Sequence, residues 1–105
     1  SRLQSLSRDE ADSLHAVGQI MEKMGNWKEA LCYYSREFVG RDIDAIETAR
    51  VHNAIGNILL EKADRVGDAV CNHRMAVQIQ TQHGKSEALA KYRTDLVRAL
   101  KVKGE

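Results

Sequence analysis

Two stretches of the chain can be laid over one another: ADSLHAVGQIMEKMGNWKEALCYY, beginning at Ala11, and ARVHNAIGNILLEKADRVGDAVCNH, beginning at Ala49. Ala11 falls on Ala49, Val17 on Ile55, Gly18 on Gly56 and Ile20 on Ile58, each 38 positions apart. One extra residue in the second turn then brings Ala30 onto Ala69, Leu31 onto Val70 and Cys32 onto Cys71. Residue size is kept as much as identity, which is what packing demands. A third, partial copy runs from Gly84 through Leu96 to Gly104. A long internal period of this kind means stacked supersecondary units, none of which buries its apolar face alone.

Each unit reads as a pair of helices. Apolar residues recur at helical spacing at Leu14, Val17, Met21 and Met24, then Trp27, Ala30, Leu31 and Tyr34, then Ile55, Ile58, Leu59 and Leu60. Ser7, Asn26 and Asp44 are each followed three places later by Glu, the pattern of a capped helix entry, and Asp64 and Ser86 are weaker starts. In the phrase GNWKEAL, Gly25 permits the left-handed stop of one helix, Asn26 caps the next, and Trp27 clamps the two at the turn. Gly18 and Ala30 let the pair approach closely. The spacing predicts helices near 8–24, 27–40, 45–62, 65–82 and 86–102, with loops short enough to force neighbours antiparallel. The chain has no proline, and it is rich in good helix formers.

Composition removes several classes of function. Sixteen basic against 15 acidic residues leave a net charge of +1, too balanced for a nucleic-acid footprint. No apolar run approaches a membrane span and none resembles a secretory leader, so a soluble, cytoplasmic protein is expected. The two cysteines, Cys32 and Cys71, occupy equivalent places in successive copies and read as reduced packing thiols. Of the four histidines, His73 stands near Cys71, but residues two apart on a helix point in different directions and do not chelate. No phosphate-binding glycine loop, nucleophile elbow or metal-ligand spacing is present, so neither enzyme, cofactor nor metal is expected.

The succession Leu14, Val17, Gly18, Met21, Gly25, Trp27, Ala30 and Tyr34 resembles a tetratricopeptide repeat. The second copy keeps Ile55, Gly56, Leu59, Ala69 and Ala76 but has His52 where a large apolar residue is usual. The third keeps Leu96, Leu100 and Gly104, with Val97 in the small-residue place and Arg93 in the large one. The resemblance implies an all-α, right-handed stack of antiparallel helix hairpins: repeats at 7–43 and 44–84, then 85–105 as a capping helix or truncated third repeat, in one domain. The interval exceeds the usual ~34 residues, and the long-repeat subgroup of Pins/LGN spindle-orientation adaptors is most similar, with kinesin light chains a related case.

Such arrays are non-enzymatic scaffolds that hold a partner's peptide segment in a concave groove. The positions that match the groove are Asp12, His15, Gln19 and Lys23 in the first copy, Arg50, Asn53, Asn57 and Glu61 in the second, and Lys91, Asp95 and Arg98 in the third. Asn53 and Asn57 lie one turn apart, and their amides could satisfy both the donors and the acceptors of a peptide backbone. Arg50, Lys91 or Arg98 could hold an acidic group. The dicarboxylate clamp of chaperone-binding members matches at Lys91 but not at His15, Gln19 or Asp95. A rival reading is a structural module whose end faces self-associate or stack with further repeats.

Overall fold

The computed structural model of the protein describes residues 8–37, 45–83 and 87–104. They form five helices: α1 (Arg8–Lys23), α2 (Trp27–Arg36), α3 (Ala45–Glu61), α4 (Val66–Gln82) and α5 (Glu87–Lys103), with no strand among the described residues. The chain divides into two compact units, Ser1–Ile43 and Asp44–Glu105. In the first, α1 packs on α2; in the second, α3 packs on α4, α4 on α5, and α3 more lightly on α5. Turns this short allow two helices to pack along their length only as antiparallel hairpins.

The α1–α2 turn is closed by its backbone. Gly25, at φ 85°, donates to the Glu22 carbonyl at 3.0 Å, and Asn26 donates to that of Met21 at 2.8 Å. These are the two bonds of a Schellman stop, and they satisfy carbonyls that the helix end would otherwise leave open. The second copy makes the same turn with one more residue. Arg65 donates to Leu59 at 2.9 Å across the wider loop, and Asp64 takes the left-handed place at φ 55°. Asp64 therefore ends α3 instead of starting α4.

Capping by Asn26 is not through its side chain. Only its carbonyl is used, accepting from Ala30 at 3.0 Å, while Nδ2 faces Met21 Sδ at 4.0 Å. The expected caps at Ser7, Asp44 and Ser86 lie outside the described residues, as does the expected stretch of α2 beyond Glu37.

Small residues set the closeness of each pair. Ala11, Ala30, Ala49, Ala69, Ala76 and Ala99 are all fully buried. In the second unit Leu59, Leu60, Val70 and Ala99 form one apolar cluster, with Ile55, Val66, Leu96 and Leu100 against it. Ala49, Ala76 and Tyr92 form another beside Val77, Ile79 and Ala88. Two expected core residues are elsewhere: Met24 is 64% exposed, past the end of α1, and Trp27 is only half-buried, with Lys28 Nζ 5.5 Å from its ring centroid. The aromatic ring that closes the first hairpin is that of Tyr34. Cys32 and Cys71 are both exposed, so packing does not account for their equivalent positions. No helix among the described residues is long and apolar enough to cross a membrane.

Candidate functional site

Both hairpins use one device where their helices cross. A Cβ on Gly18 would stand 2.5 Å from Cε1 of Tyr34, and a Cβ on Gly56 2.8 Å from Nε2 of His73. Carrying the 39-residue offset of Cys32 and Cys71 two residues further places His73 where the first copy has Tyr34. In the first unit Tyr34 donates to Glu22 Oε1 at 2.8 Å, and its ring lies 5.0 Å from that of His15. Burial, then the Glu22 bond and the charges of Glu22 and Glu37, push the phenol well above its ordinary range.

His73 works differently because it brings hydrogen-bonding nitrogens into the crossing. Its Nδ1 lies 2.8 Å from Asn53 Oδ1, an acceptor only, so Nδ1 carries the proton and donates. Nε2 is then the bare nitrogen, buried against Gly56 with no hydrogen-bond partner among the described residues. A proton there would be a buried donor without an acceptor, so the ring is held neutral. Burial lowers its pKa from 6.5, the positive charges of Arg98 and Lys91 act in the same direction, and Asp95 and Glu61 oppose.

From Asn53 a polar network spreads over the face between α3 and α5. Asn53 Nδ2 donates to Asp95 Oδ2 at 2.9 Å, Asn57 Nδ2 to the same oxygen at 3.3 Å, and Lys91 Nζ to it at 3.0 Å. Arg98 Nη2 donates to Asn57 Oδ1 at 2.8 Å, and Nη1 to Glu61 Oε2. Burial would raise the Asp95 pKa; hydrogen bonds from Asn53, Lys91 and Asn57, with the Lys91 charge, outweigh it and hold the carboxyl below its usual value. Six of the residues read as groove positions thus meet in one place: Asn53, Asn57, Glu61, Lys91, Asp95 and Arg98.

The other five do not join this network. Arg50 is half-buried, with Nη2 3.8 Å from Glu47 Oε2 on its own helix. In the first unit Asp12, Gln19 and Lys23 are exposed on α1. His15 is 8% exposed, and its Nδ1 lies 2.9 Å from Oε1 of the buried Glu37. It belongs to the inside of the first hairpin, where Glu37 supplies the acceptor that an open face would have left to water. Asn53 is likewise buried, at 3% exposure, so its amide serves the fold before it can serve a ligand. His52, in the place of a large apolar residue, meets Asn72 Oδ1 at 2.9 Å across the α3–α4 pair. Among the described residues no group of three or more His, Cys, Asp or Glu side chains could hold a metal ion.

This architecture is that of an all-α, tetratricopeptide-like helical repeat. The chain is 30% identical over 100 residues to Tetratricopeptide repeat protein 29 of Trypanosoma brucei brucei (strain 927/4 GUTat10.1), a match that covers 94% of this chain and 21% of that protein. The chain thus spans about a fifth of that relative's length, and the similarity supports tetratricopeptide-repeat kinship. No family model and no solved structure matches the chain significantly.

Proposed function

We propose that the chain is a tetratricopeptide-repeat segment acting as a non-enzymatic scaffold, which binds an extended or helical segment of a partner protein in the cytoplasm. Its repeats at 7–43, 44–84 and 85–105 act as one domain, of the long-repeat kind seen in the Pins/LGN adaptors. The observation that carries this reading is the convergence of Asn57, Glu61, Lys91 and Arg98 on one solvent-facing side of α3 and α5, anchored from beneath by Asn53 and His73. A face whose side chains are already ordered costs the complex less entropy than a flexible one, so the ordering cost falls on the partner.

The test is selection of the domain against a displayed library of disordered protein segments, with an Asn57→Ala/Arg98→Ala variant in parallel. These two residues are chosen over Asn53 because Asn53 supports the buried histidine. A consensus that binds the parent and is lost in the folded variant supports the scaffold. Absence of any binder to the folded parent counts against it.

One observation favours the rival, a self-associating assembly module. Ile20 and Met24 stand one turn apart on α1 and just beyond it, 53% and 64% exposed. Sedimentation across a concentration series decides: growth in mass that Ile20→Lys abolishes supports assembly, and a constant monomer mass removes it.

A further inference from the structure

Three donors from two helices converge on a single oxygen, Oδ2 of Asp95: Asn53 Nδ2, Asn57 Nδ2 and Lys91 Nζ, at 2.9, 3.3 and 3.0 Å. The two amides are aimed there by contacts that do not involve Asp95. Asn53 Oδ1 is taken by His73 Nδ1 at 2.8 Å, which turns its NH2 group toward α5. Asn57 Oδ1 is taken by Arg98 Nη2 at 2.8 Å, which does the same. Arg98 is itself steadied by Glu61. An amide whose oxygen is engaged can offer only its nitrogen to the other side. Where α3 meets α5, three donors thus face one oxygen of Asp95, and the oxygen of each amide is turned away to another partner. Two oriented amides with an ammonium group are what an isolated carboxylate needs to be held ionised outside bulk water.

We propose that the donor cluster of Asn53, Asn57 and Lys91 between α3 and α5 is a carboxylate-binding site whose resident ligand is the chain's own Asp95. Lys91 is open to solvent, but an acidic group from outside meets Asn53, Asn57 and Lys91 together only by displacing that side chain. While Asp95 stays, its negative charge and that of Glu61 repel a second carboxylate. Asp95 is thus a specificity-determining residue that keeps acidic ligands out, and its removal exposes a ready-made cradle. The site is internal to α3 and α5, so it stands or falls independently of peptide binding to the wider face.

The experiment compares the unaltered protein, Asp95→Ala and Asp95→Asn in sodium acetate and in sodium chloride at equal ionic strength. Side-chain amide NMR signals of Asn53 and Asn57 and the thermal midpoint are the readouts. In Asp95→Ala, acetate should shift both amide signals saturably in the millimolar range and raise the midpoint above its value in chloride. The unaltered protein and Asp95→Asn, in which the space is filled, should show neither effect. N-acetylglycine and N-acetylglutamate α-methylamide then distinguish a chain-terminal from a side-chain carboxylate, the tighter binder naming the source.

A folded Asp95→Ala that shows no saturable response overturns the proposal, as does an equal response in the unaltered protein or in Asp95→Asn. Should Asp95→Ala be unfolded in chloride, recovery of helical circular dichroism in acetate supports the site. Failure to recover overturns it.

Discussion

Gly56 and His73 share the space of one side chain: the imidazole Nε2 lies 2.8 Å from where a Cβ on Gly56 would be. Alanine in place of glycine within a helix normally stabilises by up to ~1 kcal/mol. Here the added methyl group must push the ring, and with it α4, away from α3. We expect Gly56→Ala to destabilise the second unit by roughly 1–3 kcal/mol. Gly67, with nothing within 4 Å of its Cβ position, is the control, and Gly67→Ala should be neutral or mildly stabilising. Urea unfolding of the two variants checks the opposite signs.

The buried His73 makes stability depend on pH. Its folded pKa lies below the unfolded 6.5, so the unfolded chain binds the proton better. Stability is complete above about 6.5 and declines as pH falls from there through the lower folded value. His73→Phe should lose roughly 1–2 kcal/mol at pH 7 through the orphaned Asn53 oxygen. Unfolding free energies at several pH values should show a flatter slope below pH 6.5 for this variant than for the parent.

Asp95 governs a different, more acidic window. Its pKa is depressed in the folded protein, so its contribution is present above the unfolded value of 3.8 and lost as pH falls through the lower folded one. Asp95→Asn should cost roughly 1–3 kcal/mol at neutral pH, since the amide cannot accept charge-assisted bonds from all three donors. The gap between variant and parent should close on acidification below about pH 4. A gap that persists at pH 2 in a still-folded protein would contradict this.

Asp64 adopts φ 55° in the position that Gly25 fills, at φ 85°, in the other copy. A side chain in the left-handed region carries strain of order 1 kcal/mol, somewhat less for Asp. Asp64→Gly should therefore raise the thermal midpoint, whereas Gly25→Ala should lower it.

Cys32 and Cys71 are exposed on α2 and α4. Both should react with an aromatic disulfide reagent in the native protein, at rates that denaturant hardly changes. A thiol that is released only on unfolding would place it in the core after all.

The helix pairs were legible because packing is a constraint on size at fixed spacing. Gly18 and Gly56, Ala30 and Ala69, and the turn at Gly25 each demand a particular volume or backbone angle whatever lies around them. The inward position of His15 was less legible. A histidine among Asp12, Gln19 and Lys23 looks like part of a polar stripe until Glu37 is seen beneath it, 22 residues away. His73 could have been found by extending the Cys32 and Cys71 alignment to Tyr34, which marks it as the ring facing a glycine.

By itself, the sequence determined that the chain is a succession of close helix hairpins, and it located the residues through which they cross. Apolar contacts are non-directional, so a recurring pattern of volumes suffices to specify them. Tertiary structure alone decided which polar groups meet. Asn53 finds Asp95 42 residues on and His73 20 residues on, while Asn57 finds both Asp95 and Arg98. An amide or carboxylate accepts many partners equally well on paper. Which one it takes depends on distances and angles of a few tenths of an ångström, and these exist only once α3, α4 and α5 are packed.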